Sequence, residues 1–407
     1  LATGGSGQFT LRENDAPLRG SKSSGGVDLN GDTDILDTVR VHSTNVTHTQ
    51  RYRISSSLLW KLSDTQTLRG AYTLDHARHR QTGLYGQIDF SNPTDPRFFD
   101  PFAGLRDEGH RIVNLDGYEL RARDRLSFAI LNQFAVEYAG RFLEDTLRVN
   151  VGVRAPFFKR EMNQNCYSQS KSSSVVCSTE NAVKQADGTY KLGTRTQSYL
   201  APYSREVKFD DILPNVNVSW NFTGAHWVYG SFAQSLTLPR TDNLYTVFFD
   251  AKGDITSPIT EPEKTTTYDF GYRYQTGTLI ASANVWYTKF DNRIVSRYDQ
   301  DLGVSFDSNV GDVDLYGFDS QIGWSPVEGL SLYATASYTD SEIANDYLDG
   351  TTVIKTGGKA LTETPDWTFG GRVQYETGPL QVGAQVKYTG ERWVTDVNDL
   401  KTDAYTV

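Results

Sequence analysis

Apolar and polar residues alternate along most of this chain. In "LQVGAQVKY", Leu380, Val382, Ala384, Val386 and Tyr388 share one face, and Gln381, Gly383, Gln385 and Lys387 share the other. A period of two predicts a β-strand with one oily and one wet face. Twelve such segments recur, near 38–62, 66–76, 118–139, 146–159, 207–222, 226–238, 265–276, 278–290, 313–325, 330–341, 366–377 and 379–389. No convincing amphipathic helix appears between them. The connections alternate between two kinds. Short ones ("SDTQ", "GRFLED", "TGAH", "TGT", "PVEG", "TGP") carry hairpin-turn residues. Long polar ones occupy roughly 77–117, 160–206, 239–264, 291–312 and 342–365. A soluble sandwich has no reason to sort its connections so. A membrane barrel does, with short turns on one side and long loops on the other.

Aromatic positions decide whether the oily face meets a packed core or lipid. Trp60, Tyr138, Phe222, Tyr274, Trp324 and Tyr375 each lie within three residues of a short turn. Tyr52 to Trp60, Tyr316 to Trp324 and Trp367 to Tyr375 are eight residues apart on one face. Rising strands repeat the spacing, from Leu279 to Tyr287, Leu330 to Tyr338 and Leu380 to Tyr388. Eight residues tilted by about 40° span roughly 20 Å, close to the ~25 Å apolar band of an outer-membrane barrel. Aromatics that were merely common in strands would scatter. The opposite faces carry Arg148, Asn150, Asp269, Arg273, Arg372 and Gln374, as a watery lumen requires.

Composition is consistent with that architecture. The chain has 407 residues, 38% hydrophobic residues and 23 Tyr, 20 Phe and 7 Trp. No apolar run nears the roughly 18 residues of a membrane helix, and a barrel's wet face keeps the average polar. A net charge of −10 argues against nucleic acid as a partner. Cys166 and Cys177 flank a Ser-rich stretch with no other cysteine to compete. A disulfide closing a short loop is expected, in an oxidising compartment; two separate thiols are the alternative.

Four stretches resemble the TonB-dependent receptors of Gram-negative outer membranes. They are "YGSFAQSLTLPRTDNLY" (229–245), "EPEKTTTYDFGYRYQTGTLIASANVWYTKFDNRI" (261–294), "NVGDVDLYGFDSQIGWSPVEGLSLYATASYTDSE" (309–342) and "ETPDWTFGGRVQYETGPLQVGAQVKYTGERW" (363–393). The likeness is strongest over 229–407. It implies an all-β transmembrane antiparallel barrel, of which this chain is part of 22 strands. By strand parity, 1–37 becomes an extracellular loop and 38–407 about twelve strands plus the start of another. The plug, its TonB-contacting segment and the last strands would lie outside this sequence. The implied function is active uptake of a scarce solute across the bacterial outer membrane, a ferric siderophore-type chelate or an oligosaccharide. The partners would be that solute, outer-membrane lipid and the inner-membrane TonB complex. A passive porin without energy coupling is the alternative. An adhesin or enzyme would need a surface domain or a nucleophile motif that the chain does not display.

Candidate sites are sparse. His76 and His79 point to opposite faces and His42 and His48 are far apart along a strand, so no metal pair is expected. "GGSG" and "TGGK" lack phosphate-loop spacing, and no cofactor motif occurs. Loops 95–111 and 238–250 place aromatics and arginines in polar surroundings. Such groups stack on planar or sugar ligands and pair with anions. Arg97, Phe98, Phe99, Arg240, Tyr245 and Phe248 are the candidate ligand contacts; loop-to-loop packing accounts for these aromatics equally well. Charge in the first of these loops is balanced, with no concentrated basic patch, which leaves saccharides and neutral chelates open.

Overall fold

A computed structural model describes residues 2–3, 7–89, 97–98, 111–169, 174–245, 248–249, 255–256, 260–299, 304–309, 311–349 and 352–407. All twelve alternating segments are strands. In order they are Val46–Lys61, Gln66–Asp89, Arg121–Phe142, Leu147–Gln164, Tyr203–Asp210 with Leu213–Asn221, His226–Thr237, Glu263–Gln275, Leu279–Asp291, Val313–Trp324, Leu330–Ile343, Trp367–Thr377 and Leu380–Thr389. Each pairs antiparallel with the next. Among the described residues the sheet does not close on itself. It is one all-β antiparallel barrel wall.

The register puts the oily faces on a single side. Tyr268 lies opposite Tyr287, and Tyr287 opposite Tyr316. Phe318 lies opposite Tyr338, Tyr338 opposite Trp367, and Phe369 opposite Tyr388. The rings touch across strands, with centroids 6.2 Å apart for Tyr268–Tyr287, 4.9 Å for Tyr338–Trp367 and 5.8 Å for Phe369–Tyr388. A second row forms beside the short turns, where Trp220–Phe222 are 5.6 Å apart and His226–Tyr274 4.8 Å. Between the rows the face is apolar and bare: Phe270 is 60% and Val285 53% exposed. Tyr52, Trp60, Trp367 and Tyr375 are likewise exposed, not enclosed between two layers. Asn132 intrudes on this face, where its side-chain oxygen accepts the Tyr72 hydroxyl at 2.8 Å.

Strand ends depart from the alternation in instructive ways. The first segment breaks at Thr44–Asn45, and Thr38–Ser43 pairs with the end of Gln66–Asp89 on one side and with Gly7–Arg12 on the other. Gln66–Asp89 runs thirteen residues past the predicted end at 76. Above the aromatic row both faces are wet ("HARHRQTG"), so the period vanishes while the backbone ladder continues.

Within 1–37 the described residues include the strand Gly7–Arg12 and a short helix. Leu11, Leu18, Leu29, Val41, Ile112 and Leu120 form a small core above the sheet. Fully buried Glu13 accepts the backbone N–H groups of Leu29 (2.7 Å) and Asp37 (3.2 Å). The short helix Ala16–Arg19 ends at Gly20, whose φ of +60° and contact with Asp116 and Thr179 exclude a side chain. Asp116 is a clamp. It accepts the Ser21 N–H (2.6 Å), the Ser21 hydroxyl (2.7 Å) and the Thr179 hydroxyl (2.5 Å). Those bonds, the Thr179 hydroxyl foremost, hold its carboxyl well below the usual carboxylate range. A depressed carboxyl contributes stability above its unfolded value of about 4 and loses it as pH falls below that. The protection of the Ser21 amide, relative to its intrinsic exchange rate, should therefore fall in acid below about pH 4, and Asp116→Asn should remove that acid dependence.

Cys166 and Cys177 are joined as a disulfide. It anchors the 166–200 loop, whose own five short strands form a separate sheet. In that loop the Glu180 carboxylate, 1% exposed, pairs with Arg195 at 2.9 Å.

Candidate functional site

If the aromatic rows mark the lipid side, the other parity lines the lumen. Continuing that parity above the belt brings one set of side chains together. Opposite residues Gln81, Arg125, Gln164 and Tyr203 form one tier, and His79, Ser127, Met162 and Arg205 the next. Arg160 opposes Ala129 and Val207 one tier nearer the membrane. Arg123 lies one tier farther out, opposite Gly83.

The chain after Thr237 folds back onto this wall. Leu244 and Tyr245 are buried (3% and 4% exposed) against Met162, with Tyr203 and Val207 beside them. The Tyr245 hydroxyl bonds Ser127 Oγ at 2.8 Å. Tyr203 donates to the Tyr245 carbonyl at 3.2 Å. Burial pushes its phenol up to about 12, so it remains a donor at neutral pH. Arg125 stacks on the Tyr245 ring at 4.7 Å, pairs with Asp242 and donates to Gln81 at 2.6 Å. The strap 240–245 is thus fixed on the lumen side of the wall.

Of the residues named from sequence, Tyr245 is therefore a buried anchor and Arg240 an exposed side chain on the same strap. The backbone of Arg97 and Phe98 pairs with Ile88–Asp89, and that of Phe248 with Thr256. The side chains of these three lie outside the described residues, as does all of Phe99. The structure does not bring the two loops' candidates together within what it describes. Sequence reading missed Arg123, Arg125, Arg160 and Arg205, which sit in four tiers on three strands. The signal was available for Arg123 and Arg125, which fall on the parity opposite Phe128, Phe134 and Tyr138; Arg160 and Arg205 share theirs with Phe158 and with Tyr203 and Phe209.

Among the described residues, Glu13, Asp34 and Asp37 bring carboxylate oxygens within 4.8 Å of one another. Backbone hydrogen bonds account for Glu13's place there.

A twelve-strand antiparallel wall with an oily face between aromatic rows, and a polar face with an inward strap, defines a membrane β-barrel protein with an occupied lumen mouth. The family model "TonB dependent receptor-like, beta-barrel" matches residues 2–407, and the chain belongs to that family. Solved structures with the same fold include the ferric yersiniabactin uptake receptor FyuA from Yersinia pestis (16% identity, 91% of this chain and 46% of that one, TM-score 0.54). The ferric citrate transporter FecA (15%, 90% and 47%, 0.58) and the copper transporter OprC (15%, 91% and 49%, 0.58) are similar too. The chain spans about half the length of these proteins.

Proposed function

We propose that this chain is the barrel part of an outer-membrane receptor that takes up a scarce solute with energy from the inner-membrane TonB complex. The family match over 2–407 carries the reading. The belt geometry supports the bacterial outer membrane as its place, since a closed sheet in lipid satisfies every backbone group. No described helix is long and apolar enough to cross a membrane, which says nothing against strands. The solute class proposed is a ferric siderophore-type chelate, the kind of cargo that FyuA's name records, or an oligosaccharide. Arg97, Phe98, Phe99, Arg240 and Phe248 are proposed as loop contacts to it, with Tyr245 holding the strap that presents Arg240.

Accumulation of the solute by cells carrying the full-length protein tests this. Uptake should saturate and should stop when TonB is deleted or the proton-motive force is collapsed, while surface binding persists. Flux that rises linearly with concentration and ignores TonB would make the protein a passive porin instead.

A further inference from the structure

The two sides of the wall above the belt differ in charge. On the outer side, Lys159, Glu161, Glu206 and Lys208 neutralise one another, at 2.6, 2.9 and 3.0 Å. On the lumen side, Arg123, Arg125, Arg160 and Arg205 face the strap. Arg125 alone of these pairs with a carboxylate, Asp242. Among the described residues Arg123 and Arg160 make no hydrogen bond or ion pair, and the Arg160 Nε is fully buried without a partner. Arg205 has one contact, to the Leu244 carbonyl at 3.4 Å. The charges of Asp242 and Asp75 reach Arg123 and Arg160, but neither carboxylate is hydrogen-bonded to them. Guanidinium groups taken partly out of water without a directly bonded anion are costly, and their planar fork matches carboxylate and phosphate.

Their height matters. Tyr52, in the upper aromatic row, opposes His76, which opposes Ile130. Counting outward from that level, Arg160 is one residue up, Arg205 three, Arg125 five and Arg123 seven. The group spans the lumen mouth, where a solute arrives from outside.

We infer that Arg160, Arg205 and, farther out, Arg123 receive oxyanion groups of the solute, carboxylates or phosphates spread along it, beside the strap held by Tyr245. The inference rests on the uptake reading and narrows it from chelates and saccharides in general to anionic ones. The balanced charge of the 95–111 loop had left neutral ligands open, and the lumen wall favours the other side.

The purified full-length receptor should be titrated with ferric citrate, with the neutral chelate ferrichrome and with inorganic phosphate. Ferric citrate should bind at least tenfold tighter than ferrichrome. Its affinity should fall steeply between 50 and 500 mM salt, as charge pairing requires. Arg160→Ala and Arg205→Ala should each weaken it about tenfold or more. Arg160→Lys, which keeps the charge and guards against misfolding, should restore only part. Phosphate binding as tightly as the chelate supports the site and assigns it to free oxyanions. Three results overturn the inference: neither anion binds; ferrichrome binds equally well; or the alanine variants leave anion affinity intact but let vancomycin leak into cells, which assigns the guanidinium groups to contacts inside the receptor. Any of these with TonB-dependent uptake preserved leaves the uptake reading standing, and TonB-independent flux removes that reading alone.

Discussion

Ala283→Arg should prevent this sheet from assembling in a membrane. Ala283 lies opposite Tyr272 and Ser320 on the oily face, four residues from Tyr287 in one aromatic row and four from Leu279 at the level of the other. An arginine at the bilayer midplane of a barrel costs about 2–4 kcal/mol, a large part of a typical folding free energy. Asn284→Arg, one residue away on the lumen parity, is the control and should assemble. Heat-modifiable mobility of outer-membrane extracts reads the difference. Equal assembly of both variants would mean that the exposed face does not meet hydrocarbon.

Arg195→Ala should have the second large effect, and a local one. Glu180 is 1% exposed at its side chain and accepts two guanidinium bonds from Arg195, at 3.2 and 2.9 Å. Removing the cation leaves a carboxylate buried without its partner, which costs about 3–5 kcal/mol. The penalty falls first on the small sheet of the 166–200 loop, because both residues belong to that loop. Amide exchange in residues 182–192 should rise by orders of magnitude while the long strands stay protected. The double variant Glu180→Gln, Arg195→Ala should recover much of the loss. No recovery would assign the effect to lost packing of the arginine stem.

The barrel strands were legible because lipid imposes a strict rule on one face. Tyr316, Phe318, Ile322 and Trp324 could be read as one side without knowing what lay beside them. Legibility stops where water reaches both faces. "HARHRQTG" continues a strand, yet nothing in its pattern separates it from a loop. The cap was hidden for another reason: "QFTLR" and "PL" are short and sit among glycines, and their core is completed by Ile112 and Leu120, about a hundred residues away. Tyr245 was visible as an aromatic in a polar loop. Its partner Ser127 stands 118 residues earlier, so its anchoring role needed the register. The arginine wall was the same kind of problem, since Arg123, Arg125, Arg160 and Arg205 come onto one face only when strands 121–142, 147–164 and 203–210 are laid side by side.

The Asp116 clamp has a consequence for how such surfaces diversify. Three segments far apart in the chain, at Gly20–Lys22, Asn114–Asp116 and Thr179–Asn181, are tied by bonds that include Asn114 to Thr179 at 2.8 Å and Asn181 to the Ser21 carbonyl at 2.9 Å. Grafting any one of them into another receptor would carry half a knot. A chimera that exchanges all three together should keep the crown intact, and drift in one should be tolerated only with matching drift in the others.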